Sequence, residues 1–344
     1  MEPSEINEML PFLLRRENVA RYEDGVVLIG DRRKYPFEKA FVTCHDVESV
    51  AQAIEDMVTQ GGGPPHAAQY AMVMAARQCA DASAESQLET LQAAMKRLID
   101  TRPTNTSLAR RLEMTFEVVR GAIADGKNVE ETLLAWIEAF RDKNYENYAP
   151  LAEYGASLID DGDGILTMCF AETAFLLTLA VAKRQGKQMR LFTPETRPYL
   201  QGARLTAPSI HELGIPVQII GDNMPAYILS QGKVQKYFTA ADLVTLDGHV
   251  VNKIGTFQNA IAAHHHGVPY FVFAWPDKKK PDRASIEIEE RDPAEMKSCR
   301  GVPTTDQAID AYYPAFDITP PHLVAGVITQ FGIHSPYDLH RYFG

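Results

Sequence analysis

From Ile165 to Ala274 the chain alternates short apolar runs with helical patterns, and this rhythm limits the fold more than any other feature. The runs at 165–170, 189–193, 217–220, 237–240 and 270–274 read as strands, with helices expected at 174–185, 197–213 and 255–266 and a short one after 220. Gly214 and Gly267 stop two of these helices, as glycine does where the chain must turn left-handed. Strands separated by helices at this interval predict right-handed βαβ crossovers and a parallel sheet of Rossmann type.

The first part of the chain reads differently. Residues 12–43 alternate apolar runs with turn signals, such as Glu23-Asp24-Gly25 before Val26-Val27-Leu28-Ile29, and predict a small antiparallel sheet. Asp46 caps a helix through Gln60, which Gly61-Gly62-Gly63 ends, and Pro64-Pro65 open the next, to Cys79. Helices follow at 85–99 and 107–124, divided by the polar, proline-containing stretch 101–106. Asn128 and Glu131 resemble a capping box for a long helix to Lys143 that resumes, after an interruption near Pro150, toward residue 159.

The expected fold is therefore α/β. A smaller, mainly helical N-terminal domain with a short antiparallel sheet (1–127) is joined by a linking helical segment (128–160) to a Rossmann-like parallel-sheet C-terminal domain (161–344). A length of 344 residues with 45% hydrophobic content supports two cores.

Charge narrows the partners. Thirty-four Lys and Arg face 45 Asp and Glu, a net charge of -11, so neither nucleic acid nor an anionic membrane surface is an expected partner. No apolar stretch approaches a membrane span and no signal sequence is read at the N-terminus, so a cytoplasmic protein is expected. The four cysteines, Cys44, Cys79, Cys169 and Cys299, form no C-x-x-C pair and are read as free thiols.

Cys169 ends the first apolar run of the second domain, where open α/β sheets place their chemistry. A cysteine in such a run is either an inert core residue or a reactive group. Asp242 follows another apolar run, and a carboxylate there caps a helix, pairs with a cation or carries a raised pKa. No G-x-G-x-x-G and no P-loop follow the first strand, so no dinucleotide cofactor is expected. Asp160-Asp161-Gly162-Asp163-Gly164 departs from an EF-hand and lacks its closing Glu, and His264-His265-His266 suit a helix C-terminus. No metal is expected at either. Lys278-Lys279-Lys280 reads as a solvated loop.

Eight ordered segments together resemble the 5-methylthioribose-1-phosphate isomerase family, related to ribose-1,5-bisphosphate isomerases and to regulatory subunits of a translation-initiation exchange factor. They are Thr101-Arg102-Pro103-Thr104, Ile165 to Cys169, Glu195 to Thr206, Gly221-Asp222-Asn223-Met224, Ala241-Asp242, Asn252 to Thr256, Glu289 to Pro293 and Pro314 to Pro320. The resemblance implies a cofactor-free aldose-ketose isomerase acting on a small sugar phosphorylated at C1, and a homodimer. It places Cys169 and Asp242 at the catalytic positions, with Asp242 as the acid. Arg102, Gln201, Asn252 and Lys253 fall at phosphate-binding positions, while Arg197 and Arg204 read as solvated or structurally paired.

Two departures stand out. Gly61-Gly62-Gly63-Pro64 replaces the family's Arg-Gly-Ala-Pro, leaving either the amides of Gly62 and Gly63 to meet phosphate or a plain helix break. Met168 and Phe170-Ala171-Glu172 replace the His before the cysteine and the Asn-Thr-Gly after it, which implies a differently shaped, more apolar pocket. 5-Deoxyribose 1-phosphate and ribose 1,5-bisphosphate are thus rival substrates to methylthioribose 1-phosphate. A non-catalytic sensor of sugar phosphate or nucleotide is the rival of another class.

Overall fold

The computed structural model describes residues 1–102 and 106–343. Pro103, Thr104 and Asn105, in the polar stretch expected between two helices, lie outside the described residues, as does Gly344. The chain divides into two compact units, one of Glu2–Glu8 with Phe12–Glu146, the other of Met9–Pro11 with Asn147 onward and Met1.

In the N-terminal unit, short helices α1 (Pro3–Met9) and α2 (Arg16–Val19) precede an antiparallel sheet of β1 (Ala20–Glu23), β2 (Val26–Gly30) and β3 (Phe41–Cys44). Val27 and Ile29 alternate with more exposed neighbours, so one sheet face is buried. Helices α3 (Val47–Glu55), α4 (Gly63–Gln78), α5 (Ala84–Asp100) and α6 (Thr106–Ala124) follow. Asp46 caps α3 by accepting from the Ser49 amide at 2.7 Å. The Ala-, Met- and Val-rich α4 is buried on nearly all sides, as a helix apolar all round must be, and lies at the centre of this core. Asn128 caps α7 (Val129–Ser157) through the Glu131 amide at 3.1 Å. The expected interruption at Pro150 does not occur: α7 continues through it, flanked by buried Ala149, Leu151 and Ala152, whose packing offsets the missing N–H.

The second unit holds a seven-stranded sheet. Its strands β4 (Asp163–Leu166), β5 (Met189–Pro194), β6 (Val217–Ile220), β7 (Lys236–Ala240), β10 (Tyr270–Phe273), β14 (Gly326–Thr329) and β15 (Gly332–His334) lie in the order β15-β14-β10-β7-β4-β5-β6. All pairings are parallel except β15 on β14. Helices α8 (Glu172–Arg184), α9 (Ala207–Glu212), α10 (Pro225–Ser230) and α11 (Thr256–His265) alternate with the strands. Cross-strand aromatic pairs bind β7 to β10: Tyr237 stacks on Tyr270 at 4.4 Å and Phe238 on Phe271 at 5.5 Å.

A second, antiparallel sheet joins β8 (Leu243–Val244), β9 (Val250–Lys253) and β13 (Phe316–Thr319), and a hairpin pairs β11 (Ser298–Cys299) with β12 (Val302–Pro303).

Three expectations need correction. The first strand stops at Leu166 rather than running to residue 170, so Cys169 lies in a turn beyond it. The helix expected at 197–213 is replaced by a turn through Leu200, a π-helical turn Gly202–Thr206, and α9. Gly202 explains part of this, because a Cβ there would lie 1.7 Å from the Pro194 carbonyl oxygen. The sequence reading also omitted β14, β15 and the β8-β9-β13 sheet.

Candidate active site

In the central sheet the chain steps outward from β4 to β5 and β6, then returns to lay β7 on the other side of β4. The ends of β4 and β7 therefore flank a topological switch point, where loops diverge and leave a crevice. Cys169 follows β4 and Asp242 follows β7.

Cys169 is held from both sides of its peptide. Its amide donates to Thr196 Oγ1 at 3.3 Å and its carbonyl accepts from the Thr206 hydroxyl. Thr196 is fixed in turn, because the Asp222 carboxylate accepts from the Thr196 and Arg197 amides, each at 2.7 Å. Asp222 follows β6, so the loops after β4, β5 and β6 are laced together by one carboxylate and one hydroxyl. Cys169, Glu172, Thr196 and Leu200 all have positive φ, from 51° to 64°, without being glycine. Such strain concentrated in the loops at one sheet end is a feature of functional sites.

Asp242 is anchored to the small sheet, its amide donating to the Val251 carbonyl at 2.9 Å. That contact places it beside the strand that ends in Asn252 and Lys253. Lys253 is 4% exposed, its Nζ has no hydrogen-bond partner among the described residues, and it lies 5.0 Å from the Phe316 ring centre and 5.8 Å from that of Tyr313. Arg291 shares the Phe316 ring at 5.7 Å and donates from Nε to Glu289 at 2.7 Å.

These charges shape the titration. Although Asp242 is open to solvent, the protein crowded around its carboxyl pushes it up to about 6. Lys253 and Arg291 oppose that rise, while Glu172 and Glu289 add to it. Burial pushes the Cys169 thiol up to about 11 against the pull of Lys253, with Asp242 and Glu172 again raising it. Burial also holds the Lys253 ammonium below its ordinary range. The arrangement offers an acid able to keep its proton near neutrality, a neutral thiol and an under-solvated cation.

The structure thus brings Cys169, Asp242 and Lys253 into one electrostatic group. Asn252 precedes Lys253 and donates to Thr256 Oγ1 at 3.0 Å. Gln201, 6% exposed, leaves its Oε1 without a hydrogen-bond partner among the described residues. Gly62, Gly63 and Arg102 belong to the N-terminal unit. There the Arg102 guanidinium donates to the Ile54 carbonyl at 3.0 Å and approaches the Met57 sulfur. Gly63 starts α4 so close to Thr59 that a Cβ would lie 1.8 Å from its hydroxyl, which gives the glycine a packing reason.

Other motifs resolve structurally. Lys236 bridges Asp160 at 3.0 Å and Asp163 at 3.1 Å, occupying the acidic turn with an ammonium group. His264, His265 and His266 are exposed at the C-terminal end of α11. Arg197 donates to the Ser298 carbonyl at 2.9 Å, a structural pairing. No group of three or more metal-ligating side chains occurs among the described residues, and no helix there is long and apolar enough to cross a membrane. The sequence reading missed Thr196, Asp222, Glu172 and Arg291 as site residues. All but Glu172 fall in segments that carried the family resemblance, which was the available signal.

The sequence profile of the Initiation factor 2 subunit family matches residues 64–336. The chain belongs to this family. Its relatives in the family include a methylthioribose-1-phosphate isomerase of Xanthomonas axonopodis pv. citri, 37% identical over 322 residues and 90% of each chain. One of the same name from Stenotrophomonas maltophilia is 36% identical over 88% of each. Among solved structures, the 5-methylthioribose 1-phosphate isomerase of Pyrococcus horikoshii OT3 superposes with a TM-score of 0.87 at 28% identity, covering 100% of this chain and 97% of that one. The translation initiation factor eIF-2B subunit delta of A. fulgidus superposes at 0.82 with 31% identity, covering 93% and 96%.

Proposed function

We propose that this member of the family is an aldose-ketose isomerase that converts 5-methylthioribose 1-phosphate to the ribulose 1-phosphate, with Cys169 and Asp242 as its catalytic residues. One observation carries the reading: past the ends of the adjacent strands β4 and β7 stand a thiol and a carboxyl whose surroundings favour the neutral form of both. The relatives bearing the isomerase name support the substrate class.

A phosphate on C1 locks the sugar as a ring, so the C1–O4 bond must break before hydrogen moves from C2 to C1. Asp242 gives its proton to O4 as that bond's electron pair goes to oxygen, leaving C1 electron-poor. Hydride then shifts from C2 to C1. The O2–H proton returns to the Asp242 carboxylate as the C2 ketone forms, which restores the acid. A thiol pushed up to about 11 is a poor base at neutral pH, which favours this route over an enediol and gives Cys169 the role of shaping a dry pocket around C1 and C2. Lys253 and Gln201, each with a buried polar atom lacking a partner among the described residues, bind the phosphate with Asn252 beside them. Gly62, Gly63 and Arg102, in the N-terminal unit, stand as phosphate-binding candidates on the family resemblance alone.

The test is a phosphorus and carbon NMR assay with methylthioribose 1-phosphate, 5-deoxyribose 1-phosphate and ribose 1,5-bisphosphate. Methylthioribose 1-phosphate is expected to turn over fastest, Asp242→Asn to lose at least about 100-fold, and Cys169→Ser, which puts a more polar hydroxyl in the pocket, to lose activity by a smaller factor. A faster 5-deoxy substrate would reassign the C5 substituent. Absence of turnover, full activity in both variants, or a ligand-induced melting shift without reaction would overturn the isomerase reading.

A further inference from the structure

Both side chains that hold the Cys169 peptide come from one loop, the stretch 195–206 after β5: Thr196 accepts from the Cys169 amide at 3.3 Å, and Thr206 donates to its carbonyl. Gln201 lies between them on the same loop. The position of this loop therefore fixes both the thiol turn and Gln201. Before the π-helical turn Gly202–Thr206 the loop has no strand or helix of its own to place it. A neighbouring carboxylate does so instead. Asp222, two residues past β6, accepts from two successive amides of the loop, Oδ1 from Thr196 and Oδ2 from Arg197, each at 2.7 Å. Charge-assisted bonds of this length are among the stronger ones.

This differs from an ordinary turn carboxylate. Asp46 and Asp292 bond amides three and two residues further on, within their own turns. Asp222 reaches amides 26 and 25 residues earlier in the chain. It is itself anchored, since its carbonyl accepts from Gln258 Nε2 of α11 at 3.2 Å. Thr196 carries the constraint onward: its hydroxyl donates to the Pro194 carbonyl at 3.2 Å and keeps a lone pair for the Cys169 amide. Thr196 is fully buried, so a Cys169 amide deprived of that hydroxyl has no ready substitute in bulk water.

We infer that Asp222 is a positioning residue: acting through Thr196 and its loop rather than on the sugar, it sets the turn that carries Cys169 and the place of Gln201. This rests on the isomerase reading above, in which the thiol shapes the pocket and Gln201 binds phosphate.

The role needs both carboxylate oxygens. Asp222→Asn keeps the shape but puts an NH2 group against one of the two amides, which releases the loop on that side. Thr196→Val keeps the branched shape and removes the hydroxyl, while Thr196→Ser retains it. Thr196→Val is expected to lower kcat about 10-fold with KM within about 2-fold, and Thr196→Ser to keep most of the rate. Asp222→Asn is expected to lower kcat and also raise KM, because it shifts Gln201 as well. In the double variant Asp222→Asn/Thr196→Val, kcat should fall little below that of the worse single variant, since both break one link.

A readout independent of turnover is the rate at which iodoacetamide alkylates Cys169, followed by mass spectrometry of its peptide. Asp222→Asn and Thr196→Val are expected to react at least about 3-fold faster as the buried thiol loosens, and Thr196→Ser at the wild-type rate. A carboxylate that only stabilised the fold would lower Tm in Asp222→Asn and leave kcat, KM and alkylation unmoved in the folded protein. That result overturns this inference alone, as do kcat losses that multiply in the double variant. Alkylation shifted as expected in a protein that turns over no sugar phosphate overturns the isomerase reading and keeps the link from Asp222 to the thiol.

Discussion

At the scale of single residues, Lys253 shows the conflict between folding and chemistry most clearly. Its stem is packed against Phe316 and Tyr313, but its ammonium is buried without a hydrogen bond, and burial alone would favour the neutral amine. Replacing it by methionine keeps the stem and removes the desolvated charge. Lys253→Met is therefore expected to raise stability by about 1–3 kcal/mol in urea denaturation while KM for the sugar phosphate rises at least about 10-fold. A less stable variant would instead make the ammonium a structural anchor. The places of Cys169 and Asp242 past the ends of β4 and β7 were legible because polar groups at the ends of apolar runs are conspicuous, while their catalytic candidacy came from the family resemblance. Lys253 was legible only through its motif, since no periodicity marks it.

At the scale of elements, the small β8-β9-β13 sheet presents Lys253 and hands the chain to α11. The link is Asp317 on β13, whose carboxylate accepts from the Gly255 amide at 2.7 Å and from the Phe257 amide at 3.1 Å. It thereby caps α11 from outside that helix, although burial pushes its own pKa up to about 6. Asp317→Ala strands both amides and should cost about 1–2 kcal/mol, read as a lower urea midpoint, with Asp317→Asn losing less. Equal stability of all three proteins would mean that water replaces the cap. This sheet escaped the sequence reading because its strands are two residues long or carry polar residues, as in Val250-Val251-Asn252-Lys253 and Phe316-Asp317-Ile318-Thr319, and so present no continuous apolar run. The longer helices and the five central strands were legible, since each presents enough apolar residues to reveal its period. The 197–213 misreading has the opposite cause: helix-compatible composition yielded to the close approach of Gly202 to β5.

At the scale of the whole molecule, the two units carry separate cores. One cluster draws its buried residues from Ala20 to Ile137, the other from Leu166 to Leu339. The chain has two tryptophans, and each reports on one unit. Trp136 packs against the first core and stacks on Phe140 at 5.3 Å. Trp275 is 41% exposed in the second unit, where its indole N–H donates to Gln330 at 2.6 Å. The linking segment expected at 128–160 was read from a change of pattern, and α7 runs unbroken through most of it, across the division at Glu146. A continuous helix couples neighbours, but cooperativity is set chiefly by buried surface, and each cluster's buried residues come from its own stretch of chain. The parallel sheet also depends on long-range pairings, whereas the helical unit is dominated by nearer ones. Two transitions are therefore expected in urea, followed by fluorescence in Trp136→Phe and Trp275→Phe, each single-tryptophan protein reporting a different midpoint. Coincident midpoints, together with a single calorimetric peak whose van't Hoff and measured enthalpies agree, would show instead that α7 welds the two cores into one cooperative unit.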